Sequence, residues 1–187
     1  MVVALREKLL KGDRNFCSKY MSEEILNMFN EEDLSNVGNI ETAILAVLRT
    51  KTLDDLKKLP DLSEGVENKL YSAIRVATDL ESLYNEIKVK RYPLARIRRL
   101  VLAAFLGFDN SYFMKEVPYV RVLGFKDKEL VSKANKISKV PIVTKVADIK
   151  ETKVFQMENI ATDLYNLSLK NPLESGKEYT FKLLTEE

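Results

Sequence analysis

The 187-residue sequence contains no histidine and no tryptophan, one cysteine, six glycines and five prolines. Without an imidazole it offers no Ser-His or Cys-His dyad, no His-ligated zinc site and no HxGH-type nucleotidyl-transfer motif. The lone Cys17 excludes an intramolecular disulfide and a multi-cysteine metal site, which fits a reducing compartment. Lying between Phe16 and Ser18 in a helix-like stretch, it reads as a small buried hydrophobe rather than a reactive thiol. Long apolar runs are missing too: the longest, LVLAAFLGF at 100–108, falls far short of the roughly 20 residues that span a bilayer. The opening MVVALREKLLKGD meets Arg6 and Glu7 too early for a signal peptide and reads as an amphipathic helix. A cytoplasmic protein without membrane contact is the expectation.

What is present is enough to fold. With 45% hydrophobic and 31% charged residues, disorder and low complexity are excluded. Helical periodicity dominates the first two thirds. In NIETAILAVLRT (39–50), Ile40, Ala43, Ile44, Val47 and Leu48 share one face. Thr52 with Asp55 starts a short helix, Gly65 leads into another over 66–77, and Thr78 with Glu81 has the capping-box spacing for 78–88. Pro93 suits the first turn of a helix that stops at Gly107. Within it Leu94, Ile97, Val101, Ala104 and Phe105 fall in one arc, Arg96 and Arg99 lie opposite, and Arg98 flanks the apolar edge.

After residue 117 the pattern changes. PYVRVLGF (118–125) and VPIVTKV (140–146) are β-branched and Pro-bounded, as strands are, with the helix-like DKELVSKANKI between them. A helix over 153–169 and a terminal EYTFKLL strand complete the reading. The expected fold is mainly α: a compact helical bundle over 1–117, followed over 118–187 by a small α/β portion with two or three short strands, the two packed as one unit.

The 30 Lys and Arg nearly balance the 28 Asp and Glu, for a net +2, yet the charges are segregated. From 88 to 99 stand Lys88, Lys90, Arg91, Arg96, Arg98 and Arg99, with no acid and with Tyr92 among them. Such a segment can hold phosphates through its guanidinium groups and stack an unpaired base on its tyrosine. The same arginines would also serve as an ordinary solvated face paired with carboxylates of other helices, or as a basic helix for an acidic protein partner. Asp61, Glu64 and Glu67 are a weak metal or acid–base constellation that turn and helix-cap chemistry explains as well. Other acid clusters (Glu23 and Glu24; Glu31, Glu32 and Asp33; Asp54 and Asp55) read as helix starts or loops. Tyr112, Phe113 and Met114, and later Phe155 and Met157, read as core or interface residues. No glycine-rich phosphate loop is present.

Five blocks in order, DLSEGVENKL (61–70), EIKVKRYPLARIRRLVLAAFLG (86–107), YVRVLGF (119–125), PIVTKVADIK (141–150) and ATDLYNL (161–167), resemble the C-terminal half of the bacterial tRNA(Met) cytidine acetate ligases. The resemblance implies an enzyme that activates acetate with ATP and acetylates N4 of the wobble cytidine of elongator tRNA(Met). It implies that adenylation belongs to a His-containing N-terminal nucleotidyltransferase domain, expected to be missing here, so that neither ATP nor acetate is expected on this chain alone. It also implies that tRNA is the partner and that Lys88, Lys90, Arg91, Tyr92, Arg96, Arg98 and Arg99 meet it. Arg6 stands where the family's Ser-x-Thr-x-Ile-Arg segment places an arginine near the ATP phosphates, although Met1 and Val3 occupy the hydroxyl positions.

Overall fold

The computed structural model describes residues 2–29, 34–62, 65–89, 92–113 and 116–185. Three short helices, α1 (Val2–Leu10), α2 (Arg14–Cys17) and α3 (Glu23–Met28), open the chain. Each of the last two starts where a side-chain oxygen takes an orphan amide: Asp13 accepts from the Phe16 N–H and Ser22 from the Ile25 N–H. Cys17 is fully buried, as expected of a small hydrophobe.

Five helices then build the main core: α4 (Glu41–Thr50), α5 (Leu53–Leu56), α6 (Val66–Val76), α7 (Leu80–Ile87) and α8 (Leu94–Leu106). Of the apolar residues read from the periodicity, Ile44 and Leu48 of α4 and Ile97, Val101, Ala104 and Phe105 of α8 enter the core, where Leu70, Ile74 and Leu83 join them, whereas Ala43 is exposed and Leu45 is buried in its place. α6 packs against α5 and α7, and α8 against α4 and α7. The capping box at Thr52 and Asp55 is present. The one expected at Thr78 and Glu81 is displaced by one residue. Asp79 adopts the extended conformation of a cap and accepts from the Ser82 N–H at 2.7 Å, while the Ser82 hydroxyl accepts from the Asp79 N–H. The helix thus begins at Leu80. α8 runs to Gly107, whose φ of +72° closes the helix in the left-handed conformation that glycine adopts freely. Pro93 caps this helix from outside its first turn.

Beyond Gly107 the chain forms β1 (Val120–Arg121), β2 (Gly124–Phe125), α9 (Lys128–Ile137), β3 (Ile142–Val143), α10 (Lys153–Leu167), α11 (Lys177–Thr180) and β4 (Leu184–Thr185). β1 pairs with β3 in parallel, Val120 opposite Ile142, across the α9 crossover, so the βαβ reading of this stretch is correct in outline. A second parallel pair joins β2 to β4, Gly124 opposite Leu184. Among the described residues, four strands therefore replace the two or three expected, each two residues long. The EYTFKLL segment is also corrected: Lys177–Thr180 is helical, because Gly176 turns the chain at φ +77° and Glu178 is drawn to Arg121 and Thr162. A second small core of Tyr119, Val143, Ile149 and Phe155 lies under this portion. α10 joins the two regions, since Leu164 packs on the main core and the Ser168 carbonyl accepts from the Asn36 N–H and from Asn39 Nδ2. No helix among the described residues is long and apolar enough to cross a membrane.

Candidate nucleic-acid interface

α8 presents the cationic segment because its other side is committed to the core. Ile97 and Val101 are fully buried, and Leu100, Ala103, Ala104 and Phe105 nearly so, which fixes the rotation of the helix. Three arginines then occupy three different environments.

Arg96 is not the solvent-facing residue that its helical position suggests, since its side chain is only 20% exposed. Its Nη2 donates to the Asp61 carbonyl oxygen, and its buried Nε lies 3.4 Å from Asp61 Oδ2 without hydrogen-bond alignment. The guanidinium also sits 5.8 Å from the centre of the Tyr92 ring. This arginine ties α8 to the turn after α5. The reading in which arginines pair with carboxylates elsewhere in the fold thus holds for Arg96.

Arg99 is 69% exposed and lies 3.6 Å from the same Asp61 carboxylate. Arg98 is exposed on the other flank, its guanidinium 5.6 Å from the Tyr84 ring centre. Burial pushes the Tyr84 hydroxyl up from its ordinary value, with Arg98 opposing, so the ring stays neutral beneath the guanidinium. Lys88 follows α7 and is exposed. Lys90 and Arg91 lie outside the described residues, as do Glu31, Glu32, Asp33, Glu64 and Met114.

Tyr92 requires a correction of role. It is 6% exposed and belongs to the main core, so it presents no ring to a base. The exposed ring of this region is Phe113, 66% exposed, which packs at 72° against Phe108 with the ring centres 5.7 Å apart. Phe108 in turn stacks on Tyr112, over which Lys153 Nζ stands at 4.0 Å from the ring centre. Phe113 and Arg99 line one groove of about 340 Å3, with Leu102, Leu106 and Phe108 as its apolar wall. On the other side of Phe108 a smaller cavity of about 130 Å3 is lined by Lys51 and Lys58, together with Asp55 and Asp109. The Asp109 carboxyl is held below its ordinary value by hydrogen bonds from the Ser111 hydroxyl and N–H, helped by the charges of Lys153 and Lys58. The three rings stand within six residues just after α8, and Tyr112 and Phe113 are legible in the sequence as core or interface residues, but the cations reach them from elsewhere, Lys51 and Lys58 from either side of α5 and Lys153 from the start of α10.

Arg6 donates through Nη2 to the Ser35 carbonyl and hydroxyl oxygens at 2.8 and 2.7 Å. A triphosphate site needs several converging donors, whereas Arg6 supplies one guanidinium already shared with Ser35, and no glycine-rich cradle accompanies it. The described residues of α1 do not by themselves assemble an ATP site. Among the described residues no group of acidic or sulfur side chains is placed to hold a metal ion.

Comparison with known proteins matches residues 3–179 to a family described as HIGH Nucleotidyl Transferase. The tRNA(Met) cytidine acetate ligase of Thermoanaerobacter sp. (strain X514) is 34% identical over 186 residues, covering 95% of this chain and 46% of the relative. That of Clostridium kluyveri (strain ATCC 8527) is 36% identical over 152 residues, covering 75% and 37%. Among solved structures, Thermotoga maritima TmcAL bound with alpha-thio ATP shares the fold with a TM-score of 0.85 at 21% identity, covering 99% of this chain and 52% of that one. The chain therefore spans about half the length of the curated relatives it matches. The expectation that the chain stands outside the family's nucleotidyltransferase part is overturned by the match, which runs through nearly all of it. That neither ATP nor acetate is held here likewise finds no support in the comparisons. The matched residues contain no histidine, so none of these 187 residues supplies an imidazole.

Proposed function

The chain belongs to the HIGH nucleotidyl transferase family, and from that premise we propose that it acts in the ATP-dependent N4-acetylation of the wobble cytidine of tRNA(Met), supplying the cationic surface that holds the tRNA. The observation that carries this reading is the placement of Arg98 and Arg99, two exposed guanidinium groups on the outer side of a helix whose inner side is fully buried. A helix held that rigidly presents its cations to phosphate oxygens at little ordering cost. Lys88, exposed after α7, adds to this surface, Lys90 and Arg91 stand next to it in the sequence, and Arg96 positions it through Asp61. In α1, Arg6 supplies a guanidinium able to meet a nucleotide phosphate.

A second reading, in which the basic helix binds an acidic protein, draws on the fact that Arg99 already approaches a carboxylate in the fold. Competition separates the two. A tRNA probe bound to the chain should be displaced by unlabelled structured tRNA far better than by polyglutamate. Equal displacement by both would favour the protein partner and overturn the tRNA reading. In a salt titration, reversing Arg98 and Arg99 to Glu should lower tRNA affinity and flatten the slope of log K against log salt by about one for each phosphate that is no longer neutralised.

A further inference from the structure

The geometry points to a base-binding subsite: the groove between Arg99 and Phe113 takes an unpaired nucleobase of the bound RNA, with the neighbouring phosphate on the Arg99 guanidinium. This rests on the RNA-binding reading above and adds where a base is received.

Four observations converge on it. The groove, about 340 Å3, lies within the roughly 300–1,000 Å3 of small-ligand sites, and its wall is apolar, as the faces of a base require. Phe113 is two-thirds exposed, so its ring is accessible at the mouth of the groove. Its inclined contact with Phe108 steadies the ring without enclosing it between two neighbours. The apolar surface is also not that of a purely hydrophobic docking site, because cations stand at both ends of the aromatic cluster. Arg99 lines the groove itself beside Asp61, while on the far side Lys153 stands over Tyr112, and Lys58, paired with Asp55, lines the cavity that Phe108 shares with Asp109. A nucleotide in a strand has a phosphate on each side of its base, and this charge–apolar–charge order complements it. A double helix keeps its bases stacked inside and cannot use such a groove.

The subsite also relates Asp61 to the ligand. Its carboxylate lines the groove and stands 3.6 Å from Arg99, so an incoming phosphate competes with it for that guanidinium while Arg96 keeps Asp61 in place.

The test compares two RNAs of equal phosphate number, a hairpin carrying 2-aminopurine in its loop and a fully paired duplex, binding to the 187-residue chain and its variants. Phe113→Ala should weaken the hairpin about 5- to 150-fold, the range for loss of one base–aromatic stack, and change the duplex by less than about twofold. Phe113→Trp should restore hairpin affinity and quench the 2-aminopurine signal, which a merely structural role for Phe113 would not do. Equal losses on both RNAs, or no loss on either while Arg98→Glu with Arg99→Glu still weakens both, would overturn the subsite and leave the RNA reading standing. Failure of the unaltered chain to bind either RNA would overturn both. Displacement of the hairpin by an apolar peptide as effectively as by free hairpin would overturn the subsite in favour of protein docking.

Discussion

Arg96 and Asp61 are joined at two places, the guanidinium donating to the backbone carbonyl of Asp61 and lying 3.4 Å from its carboxylate, and Asp61 holds this position at a φ of +57°. A non-glycine residue in the left-handed region is held there by its surroundings. The pair locks the turn after α5 onto α8, and it decides which arginines are available to a ligand. Arg96 is spent within the fold, whereas Arg98 and Arg99 face outward.

From this, the arginines should separate by assay. Arg96→Glu places a carboxylate against Asp61 and is expected to lower stability by about 1–3 kcal/mol, read as an earlier urea or thermal midpoint. Arg98→Glu and Arg99→Glu should leave the midpoint within about 0.5 kcal/mol of the parent and act on RNA affinity instead. The opposite pattern, with Arg99 controlling stability and Arg96 neutral, would contradict the assignment.

Neutralising Asp61 should tighten RNA binding. Asp61→Asn removes the charge that competes for Arg99 while keeping the side-chain shape. Because an exposed ion pair contributes up to about 1 kcal/mol, affinity should rise about two- to five-fold at low salt, and the gain should shrink as salt is added. Anisotropy titrations at two ionic strengths measure both effects.

Tyr119 should titrate well above the ordinary tyrosine range. Burial first, and then its hydrogen bond and proximity to Glu158, push its hydroxyl up to about 12. Its ordinary value is near 10, so above that pH the unfolded chain releases a proton that the folded one keeps. The associated stability is complete below about pH 10 and is lost as pH rises towards 12. An ultraviolet titration of Tyr119→Phe should lack the tyrosinate phase near pH 12, and the variant should lose less stability over that window.

Glu178 makes the complementary prediction in acid. Burial raises its carboxyl, yet the hydrogen bonds from Arg121 and Thr162 and the Arg121 charge outweigh this and hold it below the usual glutamate range. The stability it contributes is present above the unfolded value and disappears as pH falls through the lower folded one. Glu178→Gln should therefore show a shallower loss of stability on acidification than the parent, with the largest difference between the two near neutrality.

The helical body is legible in the chain alone. The apolar spacings that place Ile44, Leu48, Ile97, Val101 and Phe105 inward are local, and a helix's buried face follows from its period. The stop at Gly107 and the cap at Thr52 are equally legible, since each is decided within four residues. The shifted cap at Asp79 shows how narrow that legibility is: Thr78 and Asp79 both carry a capping oxygen, and the Glu41 carboxylate, which accepts from the Leu80 N–H, comes from another helix. The acid-free cationic segment is visible too, but its division of labour is not. Whether an arginine is exposed depends on Asp61, 35 residues away, and Tyr92 left the surface because the core had room for its ring. Phe108 and Phe113 are close in the sequence, but only tertiary structure brings Arg99 to Phe113 and Lys58 and Lys153 to the neighbouring rings, because packing rather than spacing joins the chain after α5 and the start of α10 to the segment that follows α8.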